Sequence, residues 1–138
     1  MAKVSLYSIL KKCSEQKNKP ERIAALQYNQ SEAMKAVLQY MFHPAVKFLL
    51  PEGTPPYTPS PFETSSRLFG EIRKLNYFVE NGSPNLKQIQ RERLFIELLE
   101  TVDPEDALLL IHLKDKKSPF RGLTEDVVVA AFPELFPT

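Results

Sequence analysis

Apolar residues return along this chain at the three- and four-residue spacing of helices, and no stretch alternates for long as a strand does. Leu6, Ile9, Leu10 and Cys13, with Lys11, Lys12 and Glu15 between them, predict an amphipathic helix over residues 3–16. Pro20 stands where a first helical residue is tolerated, ahead of a short second helix with Ile23, Ala24 and Leu26. Asn29 or Ser31 can cap a third helix, with Met34, Val37, Leu38 and Met41 on its apolar side. Pro44 limits that helix by pushing His43 out of the helical region. Phe48-Leu-Leu-Pro reads as one further turn docked in the core.

Five of the eleven residues in 51–61 are proline, which rules out a helix or a central strand there and predicts an extended connection over the surface. A fourth helix begins at Ser65 or Ser66, faces Leu68, Ile72, Leu75 and Phe78 or Val79 inward, and ends at Asn81-Gly-Ser-Pro, with Gly82 as the left-handed stop. A fifth covers residues 85–101 with Leu86, Ile89, Leu94, Phe95, Leu98 and Leu99. Asp103 is a strong cap for a sixth, with Pro104 at its first position and Glu105 and Asp106 favouring its positive end. That helix, to about Leu113, is apolar nearly all round and therefore central. Thr124 caps the last helix and Pro133 closes it. The expected fold is all-α: a single compact domain over residues 1–138, about seven short helices, with a Pro-rich connection at 51–61.

Length and composition agree, since 138 residues with 43% hydrophobic content suffice for one core without staples. A single cysteine, Cys13, allows no intrachain disulfide and fits a reducing cytoplasm. The opening Met1-Ala-Lys-Val-Ser-Leu-Tyr lacks the apolar run of a signal peptide, and no stretch is long and apolar enough to span a membrane. The expectation is a cytoplasmic protein. The net charge of +1 hides an asymmetry: residues 1–84 carry 11 basic and 7 acidic side chains, so +4, and residues 85–138 carry 7 and 10, so −3. Binding to nucleic acid would then rest on local patches.

No catalytic set is legible. His43 and His112 have no partner at metal-ligand spacing, four glycines exclude a Gly-rich phosphate cradle, and capping explains Asp103, Glu105 and Asp106. Neither an enzyme nor a cofactor, metal or small-molecule substrate is expected. The turn from Lys114 to Thr124 is richer. Between Lys114 and Arg121 lie four cations and one anion, and Ser118, Gly122 and Thr124 add small or hydroxyl-bearing positions. Basic side chains beside the free amides of a helix start are a recipe for gripping phosphate. The same residues also suit a solvated loop whose lysines answer the dipole of the sixth helix. Lys11, Lys12, Lys17, Lys19 and Arg22, then Arg67, Arg73, Lys74, Arg91 and Arg93, form basic faces that could join the turn in gripping a duplex backbone and are equally what solvated helix faces show. The C-terminal Ala131-Phe-Pro-Glu-Leu-Phe-Pro-Thr either folds back on the core or docks in a partner's pocket, for instance on a sliding clamp.

Tyr7-Ser-Ile-Leu-Lys-Lys, Lys19-Pro-Glu-Arg-Ile-Ala-Ala-Leu and Ser31-Glu-Ala-Met-Lys-Ala-Val-Leu-Gln-Tyr resemble the start of the helical N-terminal DNA-binding domain of phage-type ATP-dependent DNA ligases. Leu109 to Pro137 resembles the end of that domain: a helix, a basic turn, a capped helix, then an aromatic, a proline and a leucine. The resemblance implies that the turn lies against the DNA backbone, with Lys114, Lys116, Lys117, Ser118, Arg121 and Thr124 near phosphate. The nucleotidyltransferase lysine motif of a ligase is absent from the sequence, so ligation is not implied. The chain also resembles a small uncharacterised family of T4-like phages of marine bacteria, which implies a phage accessory protein. Two functions are therefore expected in competition. One is a non-enzymatic protein binding duplex DNA through its backbone. The other is a module for replication, clamp-dependent transcription or virion assembly that has lost DNA contacts and binds a phage or host protein.

Overall fold

The computed structural model describes residues 5–61 and 67–136. Seven α-helices lie among them: α1 (Leu6–Ser14), α2 (Lys19–Tyr28), α3 (Glu32–Phe42), α4 (Arg67–Glu71), α5 (Gln88–Thr101), α6 (Pro104–Lys114) and α7 (Glu125–Ala131). The fold is all-α, with no strand among the described residues.

Local chemistry sets most helix starts. Ser5 accepts from the Ser8 amide, Asn18 from Glu21, Ser31 from Met34 and Asp103 from Glu105, each filling one of the free amides of a first turn. Pro20 stands at the second position of α2, after the Asn18 cap. His43 is extended before Pro44 and ends α3.

The core centres on α6, which packs against α1, α3 and α5, while α2 packs on α7. Ala107, Leu109, Leu110 and Leu113 are wholly buried, whereas Leu108 keeps 45% of its surface exposed. Each buried leucine contributes roughly 1.5–3 kcal/mol of transfer free energy, so a helix apolar nearly all round belongs at the centre. The tail folds back. Gln27 Nε2 donates to the Ala131 carbonyl and Gln39 Nε2 to that of Leu135, both at 3.1 Å, while Phe132 is buried and Phe136 stacks on His43.

Several expectations are corrected. Phe48 forms no helical turn but an isolated antiparallel bridge with Val79, in which the Leu49 amide donates to the Phe78 carbonyl at 2.7 Å. The fourth helix is not continuous: α4 gives way to a 3-10 helix over Ile72–Phe78, and the start at Ser65 or Ser66 lies outside the described residues. Asn81, not Gly82, takes the left-handed conformation (φ 67°). Gly82 is required for space, because a Cβ there would sit 2.1 Å from the Asn76 carbonyl oxygen. Ile89 is 70% exposed, and the inward position falls instead to Arg91, which is 6% exposed. Its guanidinium donates to the carbonyls of Tyr77, Ser83 and Leu86 and to Gln88 Oε1, pinning the segment that precedes α5. Arg91 is therefore no part of a solvated face.

Candidate nucleic-acid interface

The turn after α6 begins with a left-handed residue, Lys116 (φ 57°). The Lys116 amide donates to the Leu113 carbonyl and that of Lys117 to His112, closing the last turn of the helix. This reversal points successive lysines in different directions. The Lys114 side chain is 2% exposed, and its ammonium donates to the Pro51 carbonyl and to Asp115. Lys116 reaches back to the carbonyls of His43 and Val46 in the segment after α3, and burial pulls its pKa below the ordinary lysine value. Both ammonium groups are committed to the protein's own carbonyls. Lys117 is exposed and stands 3.5 Å from Glu52. The Ser118 hydroxyl donates to the Phe120 carbonyl and accepts from the Phe120 amide, so it serves the turn.

Thr124 occupies the cap position of α7, but its hydroxyl donates to Asp126, whose carboxylate also pairs with Lys19 at 2.9 Å. Those two donors hold the Asp126 carboxyl down at about 2. α7 has only seven residues and carries Glu125 and Asp126 in its first turn, so its amino end meets carboxylate before any outside anion. The structure thus gathers the six sequence-predicted residues along one turn without bringing their polar ends to one point.

Arg121 differs from the rest. It is exposed, has no ion-pair partner among the described residues, and faces a groove of about 360 Å³ shared with Lys11 and Arg22. Gly122 makes that convergence possible. A Cβ there would lie 2.1 Å from the Ser14 carbonyl oxygen and 3.0 Å from Arg22 Nε, so only glycine lets the turn press against the end of α1. Arg22 Nε donates to the Gln16 carbonyl at 3.1 Å, which leaves the terminal nitrogens of the guanidinium for the groove. Glu15 is the acid in the lining. Lys12, in the last turn of α1, and Lys17, between α1 and α2, are exposed and have no ion-pair partner among the described residues. Lys11 and Arg22 are visible in the sequence as basic helix residues. Their meeting with Arg121 is not, because it depends on a close approach that one glycine permits.

A family of unknown function, DUF6433, matches residues 9–118. The chain belongs to that family. The DUF6433 match covers most of α1 through α6 and the lysine turn, and ends before Arg121, Gly122 and α7. No curated protein and no solved structure matches the chain. Among the described residues no helix of this DUF6433 protein is long and apolar enough to cross a membrane.

Proposed function

We propose that this protein is a non-enzymatic accessory protein, phage-encoded as its resemblance implies, that binds duplex DNA through the phosphate backbone with little base readout. The supporting observation is the meeting of Arg121 with Lys11 and Arg22 at one groove, flanked by the unpaired Lys12 and Lys17. Cations without carboxylate partners are the ones that gain from a phosphate, since no existing ion pair has to be broken. The contact surface proposed here shares Arg121 with the turn singled out in the sequence. It moves the remainder from Lys114, Lys116, Lys117, Ser118 and Thr124 to the end of α1 and the start of α2.

The test is binding to a labelled, nicked duplex titrated from low to physiological salt. Each phosphate contact contributes about 0.9 to the slope of log affinity against log salt. Lys11→Ala with Arg121→Ala is expected to reduce the slope by about 2 and to weaken unrelated sequences alike. An unchanged slope removes these residues from the interface, and no binding at low salt removes the DNA reading altogether. The second reading, a protein-interaction module, draws support from the −3 charge of residues 85–138, and a protein captured by the intact chain in place of DNA would favour it.

A further inference from the structure

Away from the basic groove, the Pro-rich connection and α5 border a half-open cavity of about 350 Å³. Leu50, Pro55, Pro56, Phe95 and Ile96 wall it, and Glu92 and Lys114 supply its polar positions from α5 and α6. Both ends of the connection are fastened. On one side Lys114 Nζ donates to the Pro51 carbonyl at 2.8 Å, and the Gly53 amide donates to Asp115. On the other side the Thr58 amide donates to Glu100 at 2.7 Å. Between them, Pro55 and Pro56 have no amide to donate and fixed φ angles, so the strap cannot collapse onto α5 by making backbone bonds. The cavity is preformed, and its volume lies in the range of small-molecule sites.

The charges select the occupant. Lys114 is already answered by Asp115 and the Pro51 carbonyl, whereas Glu92 accepts one bond from Gln88 on Oε2 and has no partner on its other oxygen among the described residues. Glu52 stands at the rim with Lys117 3.5 Å away, so the carboxylate left to choose the ligand is that of Glu92. We infer that the cavity beneath the Pro-rich strap binds a small organic amine, its apolar body against Phe95, Ile96 and the prolines and its ammonium on Glu92. An anionic ligand would meet the unpartnered oxygen of Glu92 and a lysine with its charge already satisfied. The inference is independent of the DNA reading, and it leaves the expectation of no small-molecule substrate as it stands, since the amine is held and not transformed.

The full chain, labelled at its methyl groups, is titrated with n-hexylamine and with hexanoate while NMR follows Leu50 and Ile96. Hexylamine is expected to give saturable shifts at both, with hexanoate clearly weaker. Glu92→Gln, on the outer part of α5, is expected to weaken the amine about fivefold, the size of one partly exposed ion pair. Ile96→Phe, which fills the cavity and leaves Glu92 in place, is expected to abolish the shift at Leu50. Hexanoate binding as tightly as hexylamine overturns the assignment of charge. Absence of saturable shifts with hexylamine overturns the site, as does amine binding indifferent to both substitutions.

Discussion

Asp106 is the residue whose chemistry departs furthest from its ordinary state. It is wholly buried. Its Oδ1 accepts from the Tyr7 amide at 2.9 Å, and Oδ2 has no hydrogen-bond partner among the described residues. From α6 it faces the first-turn amides of α1, while Glu105 beside it accepts from the Ser5 and Ser8 hydroxyls, and Asp103 caps the same helix. Burial is the main force lifting its carboxyl to about 7, with the charges of Asp103 and Glu105 adding to it, while the amides of α1 act against. The folded chain therefore keeps a proton that the unfolded chain has lost. This residue's contribution to stability is full below about pH 4 and is lost as pH rises to about 7. Its size is on the order of a few kcal/mol. Asp126 and Glu71, held below their ordinary values, act in the opposite sense and lose their contribution only in acid. Asp106→Asn keeps the acceptor for Tyr7 and removes the titration. Urea unfolding should then show a variant more stable than the parent above neutrality, with a flatter profile between about pH 4 and 7. A variant whose profile parallels the parent's would dissociate Asp106 from that slope.

At the scale of elements, caps and periodicity were the legible part. Ser31, Asp103 and Pro104 announce their helices because a cap is a contact within four residues, and the all-round apolar α6 announces its own centrality. The bridge between Phe48 and Val79 could not be read, since its partners are distant in sequence and neither flank alternates as a strand. Charged residues misled for a related reason. Residue type gives a charge but not a direction, so Lys114, Lys116 and Arg91 read as surface cations although each spends its donors on backbone carbonyls. Within the candidate site, Arg121 and the lysines were legible as cations, whereas their sorting into committed and free followed from the left-handed Lys116 and the contact under Gly122. Arg91 ties the stretch from Tyr77 to Leu86 to α5, a stretch with little regular structure of its own. Arg91→Met should cost about 3 kcal/mol, since it removes every hydrogen bond of a buried guanidinium and takes that donor from the part-buried carbonyls of Tyr77 and Leu86. Hydrogen exchange should quicken at residues 77–86 while α6 keeps its protection, and equal protection across both segments would contradict the role given to Arg91.

For the molecule as a whole, the open question is whether the C-terminal tail is a docking peptide or part of the fold, and the packing favours the fold. Phe132 is 2% exposed beneath the Lys35 ammonium, which lies 5.7 Å from its ring centroid and 3.7 Å from Glu134. Gln27 and Gln39 then hold the tail's carbonyls to α2 and α3, so chain ends far apart in sequence close one core. Removing Phe132 alone should cost about 3–5 kcal/mol, a large share of the roughly 5–15 kcal/mol that stabilises a domain. Truncation after Ala131 is therefore expected to lower the urea midpoint strongly and to loosen α2 and α7 together, since those helices pack on each other. Phe136→Ala, which removes only the ring stacked on His43, should lower it far less. Loss of a partner on truncation would then report unfolding, and only loss on Phe136→Ala, with the midpoint nearly kept, would mark the tail as a docking element. A truncated chain with an unchanged midpoint would remove the tail from the core and restore it as a free peptide.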